Sequence, residues 1–184
     1  LYKELTGKIL QGRIGDAVIF GILFIMGLYH VGLFVQRPED RTSLVFGAIC
    51  LSLCIRRIAI MRWLDVVSPG VSADWDVWLV LNRLEYLGFL VAGYCTYQLI
   101  SMLVPGVWFT RLTSAYGVVS LAYITLVIFS LPSLFARFLI PYQGVAIVMS
   151  LLTILHLVFA LYAGSSLARI LIMAFTILFV GIAH

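Results

Sequence analysis

The sequence predicts an all-α fold, a polytopic bundle of six transmembrane helices with no soluble domain of its own. The first observation is composition: 63% of the 184 residues are hydrophobic and 11% are charged, whereas a soluble domain averages roughly 45–50% apolar and 25% charged residues. The second is that the apolar residues form six runs of about 18 residues or more, long enough to cross roughly 30 Å of hydrocarbon as helices. The third is that these runs do not alternate, as the roughly ten-residue strands of a membrane barrel would.

Short polar connections separate the six predicted helices. Pro38 and its charged neighbours close the first helix, Pro105-Gly106 closes the third, and Pro132 closes the fourth, because proline interrupts a helix. The third helix is longer than the hydrocarbon is thick, so it tilts or projects into the headgroups. The predicted bundle covers residues 16–184, with helices at about 16–35, 43–63, 76–104, 113–131, 138–163 and 167–184.

Residues 1–15 precede the first apolar run, and we predict that they form a juxtamembrane tether. The stretch LYKELTGKILQGRIG is polar and interrupted by glycines, unlike a secretory signal peptide with its apolar centre. The chain starts at Leu1 rather than Met, and its last predicted helix reaches His184 without a polar loop to close it. We therefore expect this sequence to be a segment of a longer polypeptide.

Aromatic residues near the predicted helix ends are typical of anchors at the membrane–water interface. Tyr142 is expected among them, and so are four tryptophans: Trp63, Trp75, Trp78 and Trp108. The arginines do not decide the orientation by the positive-inside rule, because both sides of the predicted bundle carry four. One side has Arg37, Arg41, Arg111 and Arg169, and the other has Arg56, Arg57, Arg62 and Arg137.

Ionisable side chains within membrane helices are costly and are therefore functional candidates. Five residues form the candidate site, which is either an interhelical polar cluster or a contact surface for a sensor domain: Arg56, Arg57, Arg83, Glu85 and Tyr86. Arg83 and Glu85 are two positions apart and point roughly 200° from each other. One hypothesis pairs Glu85 with Arg56 or Arg57 across the bundle. The alternative is that these side chains extend to the interface.

For the remaining histidines, cysteines and serines, the sequence favours a packing role over a catalytic one. His30 and His156 could ligate a haem iron or join a proton relay, but hydrogen-bonded packing is favoured. The cysteines, Cys50, Cys54 and Cys95, lack zinc-like ligand spacing. Since Ser165 and Ser166 lie in a short polar connection without a nucleophile elbow, we expect them at helix ends. We predict no catalytic residue, metal or cofactor in this segment.

Small residues and tyrosines give two further expectations. Gly88 and Ala92 share a helix face, where small side chains allow close helix approach. Several tyrosines, Tyr94, Tyr97, Tyr116 and Tyr123, could line a ligand site within the bundle, although aromatic core packing is favoured.

Three stretches resemble a known family. The run GILFIMGLYHVGLFVQRPEDRTSLVFGAICLSLCIRR resembles the first helix pair of bacterial seven-transmembrane receptors with diverse intracellular signalling modules (7TMR-DISM). The run LNRLEYLGFLVAGYCTYQLISMLVPG, with Leu84-Glu85-Tyr86 and Pro105, resembles their third helix. The C-terminal stretch, SSLARILIMAFTILFVGIAH, is similar to their sixth helix, and the seventh helix of the family is missing from this chain.

The resemblance implies the transmembrane module of a bacterial sensor in the inner membrane. Such receptors carry an extracytoplasmic ligand-binding domain before the first helix and a cytoplasmic output, a histidine kinase, diguanylate cyclase or phosphatase, after the seventh. It places the N-terminus outside and the loop at residues 37–41 inside. The implied partners are the lipid bilayer and these two domains of the same polypeptide. A homodimer is compatible with this arrangement, and no nucleic-acid partner is expected. The alternative function is a small transporter or channel, which would need a polar path.

Overall fold

The computed structural model describes residues 2–60 and 74–173 of the chain, with side chains from residue 14 onward. The chain divides into two compact units, an N-terminal unit of residues 1–95 and a C-terminal unit of residues 96–184. The helices are α1 (Tyr2–Gln36), α2 (Arg41–Ile60), α3 (Trp75–Leu103), α4 (Val107–Phe129) and α5 (Pro132–Tyr162), and residues 166–173 form the described part of α6. The boundary between the units falls within α3.

Among the described residues, five helices are long and apolar enough to cross a membrane. They are residues 14–36 of α1 and the whole of α2 to α5, and the mean hydropathy of their most apolar parts lies between 1.3 and 2.4. The prediction of an all-α, polytopic membrane fold is confirmed. Residues 61–63 of the second predicted helix and 174–184 of the sixth, with Trp63 and His184, lie outside the described residues.

The first helix starts at Tyr2, well before the predicted start near residue 16. Residues 2–15 contain no proline, and their leucines, lysines, glutamate and glutamine favour helix, whereas each glycine costs only about 1 kcal/mol. A helical backbone does not locate the membrane surface, so the juxtamembrane tether stays a prediction.

The helices α4 and α5 each start six residues before their predicted positions, at Val107 and Pro132 instead of 113 and 138. Gly106 is extended (φ −158°, ψ 124°) and forms the N-cap of α4. Pro132 occupies the first turn of α5, where its missing N–H is not needed and its fixed φ suits the helix. Arg111 and Arg137, expected in connections, are therefore helical.

Glycines bring the helices of the N-terminal unit close together. A Cβ added at Gly27 would lie 2.8 Å from the Leu51 side chain, so α1 and α2 meet there without space for a methyl group. The helices α2 and α3 meet at Gly88, where a Cβ would lie 2.7 Å from the carbonyl oxygen of Ser52. The expectation that Gly88 permits close helix approach is confirmed.

In the C-terminal unit, a small apolar core joins four helices: Ile100, Val104, Phe109, Leu157 and Ala168 are all buried. The connection from α5 to α6 is short because Gly164 adopts a left-handed conformation (φ 86°). The Ser165 N–H then reaches back to the Ala160 carbonyl at 3.0 Å, which closes the end of α5.

Candidate functional site

One residue of the predicted polar cluster, Arg57 on α2, forms an ion pair with Asp16 on α1. Its Nη1 lies 2.9 Å from Oδ1 of Asp16, with the two side chains 39% and 24% exposed. The pair joins α2 to α1 near residue 14, where the most apolar part of α1 begins. In the described part of the chain, Arg57 thus pairs with Asp16 and not with Glu85.

Arg56 packs against α3 instead. Its guanidinium carbon lies 5.5 Å from the centre of the Phe89 ring, within the range of a cation–π contact. The Cβ of Arg56 borders Gly88. Its buried Nε has no hydrogen-bond partner among the described residues. The arginine is therefore held between α2 and α3 chiefly by packing.

Glu85 faces a cavity of about 260 Å³ between α2 and α3. Arg83 and Tyr86 do not line this cavity, which agrees with their positions on other faces of α3. The structure therefore divides the five predicted residues among several surroundings. Whether they form a sensor-domain contact stays a prediction. The cavity is lined by Ala59, Ile60, Trp78, Leu81, Asn82 and Glu85.

The tryptophans near the start of α3 form a pair. The rings of Trp75 and Trp78 stack with their centres 5.1 Å apart, and Trp75 is 65% exposed. Trp108 at the start of α4 packs edge-on against His156, with ring centres 5.2 Å apart. All three lie in the first turns of helices, while their placement at the membrane interface stays a prediction.

A seam of tyrosines joins α4 to α5 in the C-terminal unit. The hydroxyl groups of Tyr116 and Tyr142 hydrogen-bond to each other, and Ser120 Oγ lies 3.2 Å from the Tyr142 hydroxyl. Two turns along α4, the Tyr123 hydroxyl donates to the Phe135 carbonyl at 2.6 Å. These contacts confirm core packing for Tyr116 and Tyr123 and set the antiparallel register of α4 and α5.

Tyr97 extends this seam to α3. Its hydroxyl lies 2.8 Å from Ser150 Oγ on α5, and its ring packs edge-on against Tyr116 with ring centres 5.0 Å apart. Tyr142 was expected near a helix end, which is wrong, because it lies well inside α5, where its side chain packs in the core and is only 4% exposed. The seven-residue spacing shared by Tyr116–Tyr123 and Phe135–Tyr142 was a signal for this seam.

His156 is a packing histidine, as favoured from the sequence. Its Nε2 lies 2.9 Å from the Val104 carbonyl oxygen, just beyond the end of α3. Its ring stacks on Phe109 with centres 4.4 Å apart, and a Cβ at Gly106 would come within 2.6 Å of it. The histidine thus fastens α5 to the turn between α3 and α4.

The other candidate metal or haem ligands, His30 and the cysteines of α2, pack against neighbouring helix residues. His30 packs edge-on against Phe46, with ring centres 4.6 Å apart. Cys50 and Cys54 are buried thiols, and Cys54 Sγ lies 3.7 Å from the Phe20 carbonyl oxygen. Within the described residues, no three histidine, cysteine or acidic side chains are placed to hold a metal ion. Ser165 Oγ accepts the Ala168 N–H at 3.3 Å, so this serine caps α6.

Comparison with known proteins identifies the family. The family model described as 7TM diverse intracellular signalling matches residues 13–184, which includes α2 to α5 and most of α1. No curated protein and no solved structure matches the chain. The match confirms the resemblance seen in the sequence. The chain therefore belongs to the 7TM diverse intracellular signalling family, as a signalling transmembrane module of an integral membrane protein.

Proposed function

We propose that this module carries a signal from an extracytoplasmic ligand-binding domain to a cytoplasmic output domain of the same polypeptide, in the inner membrane of a bacterium. The output is a histidine kinase, a diguanylate cyclase or a phosphatase. The family match over residues 13–184 supports a signalling role. The feature of the structure that carries the proposal is the continuity of α1.

The helix α1 runs for 35 residues without a proline, which corresponds to about 52 Å. A displacement or rotation applied at its first turns therefore reaches its contacts with α2. Those contacts include the Asp16–Arg57 ion pair and the close approach at Gly27. Since packed helix interfaces change between discrete arrangements, ligand binding upstream would favour one arrangement of α1 against α2.

The first turns of α3 complete the proposed input surface. Arg83, Glu85 and Tyr86 are proposed to contact the ligand-binding domain, because the start of α3 lies on the same side of the bundle as the N-terminal tether. In the full-length protein, substitution of Arg83 or Glu85 should then change output activity. Unchanged output in both variants would refute the contact.

Breaking α1 tests the proposed transmission. Ile14 is 58% exposed, and Ile14→Pro would remove a helical hydrogen bond and kink α1, whereas Ile14→Ala keeps the helix. In membrane vesicles containing the full-length protein, we expect Ile14→Pro to change basal output severalfold and Ile14→Ala to leave it near wild type. Equal output from the two variants would contradict transmission through a continuous α1.

Single-cysteine labelling tests the proposed orientation. In a background with alanine at the three native cysteine positions, Glu39→Cys reports on the connection after α1 and Trp75→Cys on the start of α3. With intact spheroplasts and an impermeant maleimide, we expect labelling at position 75, and at position 39 only after lysis. The reverse pattern would place the N-terminus in the cytoplasm.

The contacts in the C-terminal unit favour signalling over the transporter alternative. The tyrosine hydroxyls between α4 and α5 bond to one another, to Ser120 or to a carbonyl, and His156 is buried against Val104. Arg111 and Arg137 lie within about two turns of helix starts. The described part of this unit therefore supports a packed bundle better than a charged path.

A further inference from the structure

We propose that the cavity at Glu85 binds a small organic ammonium group, with the Glu85 carboxylate as its counter-ion. The cavity measures about 260 Å³ and lies between the last described turn of α2 and the first turns of α3. This volume is below the roughly 300–1,000 Å³ of sites for drug-sized ligands. It suits a single headgroup.

Four of the lining residues form one stripe along α3. Leu81 and Asn82 precede Glu85 by four and three positions, and Trp78 precedes it by seven, so all four lie on one helix face. Ala59 and Ile60 supply the opposite wall from α2. One side of the cavity thus offers a carboxylate, an amide and an indole, and the other offers aliphatic carbon.

The arginines described near Glu85 are engaged elsewhere or point away from it. Arg57 pairs with Asp16 at 2.9 Å, and Arg56 lies over the Phe89 ring. Arg83 is two positions from Glu85 and points away from the cavity. Among the described residues, no ion pair involves Glu85. A carboxylate in partly apolar surroundings gains from a cationic partner, which a ligand would supply.

The lining selects an organic cation rather than a metal ion. A calcium ion takes six to eight oxygen ligands and magnesium keeps an octahedral set, whereas this cavity offers one carboxylate and one side-chain amide. An indole face attracts ammonium groups, and Leu81, Ala59 and Ile60 suit the attached carbon atoms. Asn82 Oδ1 can accept a hydrogen bond from an N–H of a primary ammonium. The ammonium could come from a lipid headgroup or from a free amine.

Calorimetry on the purified chain tests the proposal. The chain is placed in nanodiscs of phosphatidylglycerol, which has no ammonium group, and titrated with ethanolamine or with neutral ethylene glycol at fixed ionic strength. We expect saturable binding of ethanolamine alone. Glu85→Gln should weaken it at least tenfold. Asp76→Asn, an exposed carboxylate on the same helix outside the cavity, should leave it unchanged.

A variant with increased affinity provides a second test, because a misfolded protein would not bind ethanolamine more tightly. Asn82→Asp adds a second negative charge to the cavity and should tighten ethanolamine binding severalfold. Nanodiscs that also contain phosphatidylethanolamine distinguish the two sources. Competition by this lipid identifies a headgroup as the ligand, and undiminished ethanolamine binding identifies a free amine.

Two results would overturn the proposal. One is the absence of saturable ethanolamine binding in phosphatidylglycerol together with no retention of phosphatidylethanolamine by the purified chain. The other is equal affinity of wild type, Glu85→Gln and Asn82→Asp. The measurement uses no output domain, so its failure would leave the proposed signalling function intact.

Discussion

Replacing Gly88 by alanine adds one methyl group where α2 and α3 approach each other. The new Cβ would lie 2.7 Å from the Ser52 carbonyl oxygen and 3.0 Å from the Cβ of Arg56. Close carbon–oxygen contacts between helices are about 3.3–3.6 Å, so the helices must separate by roughly 0.6 Å or more. The nearest atom belongs to the backbone of α2, which cannot rotate away as a side chain would.

The size of the effect follows from two opposing terms. Overpacking of this kind costs about 1–3 kcal/mol, while alanine gains up to about 1 kcal/mol over glycine in a helix. We therefore expect Gly88→Ala to lower the free energy of unfolding by up to about 2 kcal/mol. Gly144→Ala is the matched control, because a Cβ at Gly144 meets nothing within 4 Å. It should stabilise the protein or leave it unchanged.

Reversible unfolding in mixed micelles, followed by far-UV circular dichroism, measures both variants. The difference between them isolates the steric term, since the helix propensity change is the same. If Gly88→Ala proves as stable as Gly144→Ala, the helices are not held at this distance and the reasoning fails.

Three further predictions concern hydrogen bonds. Tyr142→Phe should lower the free energy of unfolding by about 1–2 kcal/mol, whereas Tyr162→Phe, at a position 85% exposed, should not change it. His156→Leu should cost about 1–3 kcal/mol because a buried carbonyl loses its donor, and His156→Gln should restore part of this in the same assay. Hydrogen bonds from the hydroxyl and N–H of Ser43 lower the pKa of Asp40. Its stabilisation of the start of α2 is therefore complete above the ordinary aspartate pKa and is lost as the pH falls through the lowered one. Melting curves against pH should show this loss, and Asp40→Asn should remove it.

The apolar runs predicted the existence of the helices but not where they start. Hydropathy detects the lipid-compatible part of a helix, while the first turn is set by backbone chemistry. Pro132 starts α5 six residues before the predicted position, and Gly106 does the same for α4. Residues 2–15 are helical despite their polarity, because nothing in them interrupts a helix.

The candidate site shows a different limit of sequence reasoning. Arg57 and Glu85 were identified as candidates because they are charged residues within predicted membrane helices, where charges are costly. Their partners were not predictable, because the rotation of one helix against another cannot be read from one sequence. Asp16 pairs with Arg57 although it is 41 positions away. Gly88 was predictable because small side chains mark close approach wherever the neighbour lies.

The tyrosine hydroxyls between α4 and α5 restrict how these helices can move. Sliding one helix by a single turn, about 5.4 Å, would remove the partners of Tyr116, Tyr123 and Tyr142 together. Lipid would not replace these partners, because it supplies neither donors nor acceptors in the hydrocarbon region. We therefore expect this helical hairpin to move as one piece, and a ratchet-like step in the signalling cycle to occur at another interface.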